Sequence, residues 1–226
     1  MKPELKLLIS IFVIIALSTY VHAATEPAGA VVSGETDHGQ YDQGGAGSVS
    51  IIESGNITSA NLAANMSTYR WAGLTGNVSG DIILADANNE TMYTWTAEGR
   101  VVYASNESSI AWSGLSNSTV ADMPSYIAAT DNNGDRYNNT FIGSILMDSD
   151  LFSIYARRCT TQSAESTNWY TYSLDDGTGV LVWAGEVVTG GTDYENETAD
   201  YQILLPEDGT GGDETASTFY LWVELR

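Results

Sequence analysis

Thr218-Phe219-Tyr220-Leu221-Trp222-Val223-Glu224-Leu225 is the stretch whose reading decides the fold class. Phe219, Leu221 and Val223 alternate with Tyr220, Trp222 and Glu224, and residues two apart share a face only in an extended strand. The same period recurs where Phe152, Ile154 and Ala156 alternate with Ser153 and Tyr155. Elsewhere, short runs of β-branched and aromatic residues are separated by Gly, Asn, Asp and Ser, as in an all-β domain with tight turns. The pattern predicts strands at 48–53, 68–74, 81–85, 92–96, 100–104, 109–112, 140–147, 151–157, 169–174, 179–188, 200–205 and 218–225. Residues 56–67 fit either period and are read as a strand, because Ser, Thr and Asn are weak helix formers. A short helix or turn is expected over 119–128, interrupted by Pro124. The expected architecture is a β-sandwich, Ig-like or jelly-roll-like, over residues 48–226, with an extended N-terminal arm.

Lys2 and Lys6 flank the start of an apolar run at 7–17, which ends before Val21-His22-Ala23. That run is about half the roughly 20 residues that cross a bilayer as a helix, and it precedes small residues, as in a signal peptide. Residues 1–23 are read as that signal, with a retained hydrophobic helix as the alternative. The first reading leaves no membrane segment in the mature chain and places it outside the cell or at its surface. Residues 24–47 are poor in large apolar side chains and end in glycine, so they cannot pack a core and read as a flexible arm. Ala28, Ala30, Val31 and Val32 form its one apolar element, a candidate donor strand.

The formal net charge is −21, and removal of residues 1–23 takes both lysines with it. Such a surface repels phosphate backbones, so nucleic acid is excluded as a partner. One cysteine, Cys159, rules out an internal disulfide and is expected to be buried.

Asn-X-Ser/Thr triplets stand at Asn56, Asn65, Asn77, Asn89, Asn106, Asn117, Asn138 and Asn196, none with proline in the middle. Composition alone gives about three such acceptors, so N-linked glycans are expected, on turns or solvent faces. Catalytic chemistry has few candidates. His38 is the only histidine after the leader, and nucleophile, phosphate-loop and CxxC motifs are absent. Asp148 with Asp150, and Asp175 with Asp176, supply the residue type of a glycosidase pair but read as solvated turn residues. Asp131, Asn133 and Asp135, at alternate positions around Gly134, suit a calcium ion, although Ile142 stands where an EF-hand needs its last glutamate. A metal-free Asx turn is the alternative. The many Trp and Tyr residues read as core and cross-strand pairs, with a sugar-stacking platform as the other use.

Trp71-Ala72-Gly73-Leu74-Thr75-Gly76-Asn77-Val78-Ser79-Gly80, followed by Asp81-Ile82-Ile83-Leu84, resembles a signature of exported archaeal surface proteins. Asp200-Tyr201-Gln202-Ile203-Leu204-Leu205-Pro206 and the closing strand are similar too. Leader, arm and acceptor-rich β domain together resemble the subunits of archaeal bundling pili and threads. That resemblance implies a β domain assembled into filaments by donor-strand complementation. The chain is therefore expected to be a structural subunit of an extracellular filament or surface coat, a homopolymer of copies of itself, and not an enzyme. A carbohydrate-binding or adhesive domain is the alternative, and an acid-dependent glycosidase a third reading.

Overall fold

A computed structural model describes residues 26–34, 59, 64–65, 68–128, 134–162, 168–207 and 217–226. The leader, the remainder of the arm, the strand expected at 48–53, Asn56, Asp131 and Asn133 lie outside the described residues. The fold is all-β. Its strands are β1 (Ala28–Gly29), β2 (Trp71–Gly76), β3 (Gly80–Ala85), β4 (Thr91–Ala97), β5 (Gly99–Ser105), β6 (Ser116–Asn117) and β7 (Ile142–Leu146). They continue as β8 (Tyr155–Gln162), β9 (Asn168–Asp175), β10 (Leu181–Glu186), β11 (Gly191–Thr192), β12 (Thr198–Ala199), β13 (Tyr201–Pro206) and β14 (Tyr220–Leu225). Two four-residue helices, α1 (Ser125–Ala128) and α2 (Tyr137–Thr140), are the α-helical elements of the described residues.

Every pairing is antiparallel. The main sheet runs β1-β14-β5-β10-β9-β8-β7, with β6 paired to β9. The β2–β13 pair packs over one of its faces, with β13 against β8, β9 and β10. Two layers are thus present, of very unequal size.

Alternation along the central strands feeds two cores. On one face Val102, Ala104 and Trp183 meet Trp71, Ile203 and Leu205 of the β2–β13 layer. On the other, Val101, Tyr103, Tyr172, Leu174, Val182 and Ala184 are covered by Trp112, Met147 and Phe152 from loops. Each large side chain buried this way contributes about 1.5–3 kcal/mol. Gly185 of β10 lets β13 approach closely, since a Cβ there would lie 2.5 Å from Ile203. In the closing strand, Leu221 and Val223 face the first core and Trp222 the second. Glu224, on the Trp222 side, is 1% exposed. It accepts hydrogen bonds from the Tyr103 hydroxyl at 2.9 Å and the Ser149 hydroxyl at 2.7 Å. The N–H groups of Asp150 and Leu151 also donate to it, so one carboxylate ties the 148–152 loop over the second core.

Two predicted strands fall elsewhere. The 151–157 strand begins only at Tyr155, because the N–H groups of Leu151 and Phe152 bond the Ser149 hydroxyl instead of a neighbouring strand. Residues 109–112 are not a strand. Ala111 N–H donates to Asp176 at 3.0 Å, and Trp112–Gly114 turns as a 3-10 helix that presses the Trp112 ring on Tyr103. The turn expected near Pro124 is present as a 3-10 segment at Val120–Asp122 followed by α1.

Three five-residue turns share one design. Asp86, Asp176 and Asp193 each donate their N–H to the carbonyl four residues on and accept, on one carboxylate oxygen, the N–H groups two and four residues on. The residue three positions on has positive φ: Asn89 (64°), Gly179 (96°) and Asn196 (64°). Such left-handed turn positions favour Gly and Asn and match the twist of a hairpin.

Candidate assembly surfaces

The donor-strand candidate lies on the edge of its own sheet. Ala28 pairs with Val223 and Gly29 with Trp222, and the Ala30 N–H donates to the Leu221 carbonyl at 2.8 Å. The main chain carries this contact. Ala28, Ala30, Val31 and Val32 are all exposed, Val31 to 94%, while Pro27 is buried. The small side chains therefore enter no pocket formed by the described residues, among which an edge strand of two residues is all that pairs with the middle of β14 on that side. Farther along β14, Arg226 and Glu98 exchange backbone hydrogen bonds at 3.0 and 3.1 Å.

At the opposite edge of the sheet, β7 is exposed along its whole length. Its pairing with β8 shifts register between Ile142 and Ile145, and Gly143 has φ of 79°. A bulged edge strand resists pairing with another strand, and although β14 shifts register against β5 between Glu224 and Leu225, its pairing from Tyr220 to Glu224 is regular, so of the two edges β14 is the better template.

The β3–β4 hairpin is a ribbon standing apart from the main sheet, anchored at its base where Gly80 approaches the Leu225 side chain. Its register sets Ile82 opposite Trp95 and Leu84 opposite Tyr93. These four share one face, whereas Asp81, Ile83, Thr94 and Thr96 share the other. The Tyr93 and Trp95 ring centroids are 4.7 Å apart. Most other tryptophans are buried, as the core reading expects: Trp71, Trp112, Trp169 and Trp183.

Six of the described acceptor asparagines are exposed: Asn65, Asn77, Asn89, Asn106, Asn138 and Asn196. Asn89 and Asn196 occupy the left-handed positions of two Asp turns. Asn117 differs. It is half-buried in β6, and its side-chain carbonyl accepts the Arg157 N–H at 2.7 Å.

The acidic candidates are occupied by structure. Both oxygens of Asp135 lie 2.9 Å from the Arg70 guanidinium, and Thr68 donates to one of them at 3.0 Å. Arginine thus supplies the positive charge at the described member of the calcium trio, and no group of three metal-ligating side chains occurs among the described residues. Asp148 and Asp150 are exposed and flank Arg100. The pair Asp175–Asp176 is not wholly solvated, as the sequence reading has it: Asp176 is 2% exposed. Burial pushes its pKa up, but hydrogen bonds from Ala111, Thr178 and Val180 outweigh that and hold it below the usual carboxylate range. Cys159 is buried as expected, and desolvation pushes its thiol up to about 12, which leaves it unreactive.

No known protein family, curated protein or solved structure matches this chain.

Proposed function

We propose that the chain is a structural subunit of an extracellular filament or surface coat, joined to copies of itself by exchange of the 28–32 arm. One observation carries this reading: apart from buried Pro27 at its start, the arm covers the β14 edge through main-chain bonds, on a strip of two paired residues and one further hydrogen bond. An element held so lightly is replaced at little cost by the same element of a neighbour, because the contacts are identical. Repeated without closure, the exchange builds a chain of subunits. Glycans at exposed acceptors would keep the remaining surface hydrophilic.

Ala30→Pro tests the exchange, because proline removes the one N–H that Ala30 donates to Leu221. Electron microscopy of the wild type is expected to show filaments and of the variant discrete particles, with the domain still folded. Filaments of normal length from Ala30→Pro would refute arm exchange. The adhesive reading is favoured by a single feature, the exposed Tyr93–Trp95 pair, and glycan-array binding lost in Trp95→Ala would support it.

A further inference from the structure

We propose that the apolar face of the β3–β4 ribbon is a two-fold contact surface, and that what covers it is the same face of a second copy of this chain. This contact is separate from arm exchange. Ile82, Leu84, Tyr93 and Trp95 are 46%, 50%, 57% and 48% exposed. A two-stranded ribbon is marginal in water unless a third element covers its apolar side, and among the described residues none does.

Charge selects the occupant. The chain carries −21 overall, so its copies repel wherever carboxylates face each other. Asp81 points to the opposite side by alternation, Asp86 follows Leu84 in the alternation but its carboxylate is drawn into the tip turn by the N–H groups of Asn88 and Glu90, and Glu90 ends that turn. The face is a neutral island on an acidic surface, where like-charged copies can touch without burying a charge. A basic partner would find no carboxylate on it, and the surrounding acids repel anionic lipid.

Shape agrees. The face is divided into an aliphatic strand, Ile82 and Leu84, and an aromatic strand, Tyr93 and Trp95. A two-fold axis along the ribbon sets the aliphatic strand of one copy over the aromatic strand of the other, and the reverse, so one contact satisfies both halves. Large apolar and aromatic side chains carry roughly 150–250 Å² each, so half-exposed they present about 350 Å² per copy. About 700 Å² per pair lies below the 1,200–2,000 Å² of stable complexes, which predicts a weak, concentration-dependent dimer. The acceptor Asn89 lies at the tip turn, outside the face.

Sedimentation velocity of the Ala30→Pro chain, in which arm exchange and hence filament growth are blocked, from micromolar to millimolar concentration, tests this. The expected result is a monomer–dimer equilibrium that strengthens with salt, as screening relieves the like-charge repulsion. Trp95→Thr and Ile82→Thr, both strand-compatible, are each expected to raise the dissociation constant at least about tenfold with far-UV circular dichroism unchanged. Deletion of residues 26–34 is expected to leave this dimer intact, which separates its failure from failure of arm exchange. A monomer at all concentrations, a dimer indifferent to both substitutions, or a dimer lost with the arm would each overturn the proposal. So would phosphatidylcholine vesicles or an arrayed glycan capturing a chain that does not dimerise.

Discussion

The β3–β4 and β9–β10 hairpins are closed by the same turn, an aspartate holding N–H groups two and four residues on, with a left-handed residue between. In β9–β10, flanked by β8 and β5, residues Trp169, Tyr172, Leu174, Val182 and Trp183 are all buried. In β3–β4 every residue from Asp81 to Thr96 is exposed. Turn chemistry and alternation therefore make a hairpin, and neighbouring strands decide whether it becomes core. Among the described residues the ribbon is the same local solution without a neighbouring strand, and its exposed apolar face is the surface proposed above for a second copy.

The widest separation between the two is expected in side-chain truncation. Trp183→Ala removes a ring packed on Trp71 and Phe141 and is expected to lower global stability by about 3–5 kcal/mol. Trp95→Ala should change it by no more than about 0.5 kcal/mol in the monomer. Paired urea melts measure both, and equal losses would erase the distinction.

The turn aspartates come next. Asp176→Ala removes the buried carboxylate shared by the N–H groups of Ala111, Thr178 and Val180 and is expected to destabilise by about 1–3 kcal/mol. Asp86→Ala, on a fully exposed turn, should leave the global melt unchanged. The sign with pH follows from the depressed pKa of Asp176. Its contribution is fully present above the unfolded carboxylate pKa near 4 and is lost as pH falls through its lower folded value. Thermal melts below about pH 4 should therefore fall more steeply for the wild type than for Asp176→Ala.

The smallest effects belong to the left-handed residue. Asn89→Ala is expected to lower the ribbon's local stability by about 1 kcal/mol and Asn89→Gly to leave it nearly unchanged, read as amide exchange in β3 and β4. Both remove the acceptor, so comparing them separates backbone strain from loss of glycan. Glycopeptide mass spectrometry should find Asn89 and Asn196 modified and Asn117 least, because the Arg157 N–H holds the Asn117 side chain in place. Full occupancy at Asn117 would contradict that account.

Much of this was legible in sequence where the signal is local. Alternation in 219–224 places Leu221 and Val223 on one face and Trp222 on the other, as the two cores require. Non-local partnerships were hidden. Nothing near Glu224 indicates burial, because the Ser149 and Tyr103 hydroxyls that satisfy it stand 75 and 121 residues away. The polar run Arg157-Arg158-Cys159-Thr160-Thr161 extends β8 past its predicted end because Tyr172 to Trp169 of β9 lie alongside Arg158 to Thr161. The Asp turns did have a signal, an aspartate three residues before Asn or Gly. Of the assembly surfaces, Ala28 to Val32 was visible as an apolar element, but not that it would rest on its own β14. The ribbon's apolar face was visible only once register paired Ile82 with Trp95.

Arm exchange is tested most directly by joining the arm to its seat. Ala28 and Val223 are opposite partners in an antiparallel pair, where Cα atoms lie about 5 Å apart, within disulfide range. Buried Cys159 does not compete. The double variant Ala28→Cys/Val223→Cys, oxidised after assembly and run on a non-reducing denaturing gel, is predicted to give a ladder of covalent multimers, collapsed by reductant. Monomer alone from filamentous material, with the disulfide formed within each chain, would show that the arm stays on its own sheet and would contradict the account.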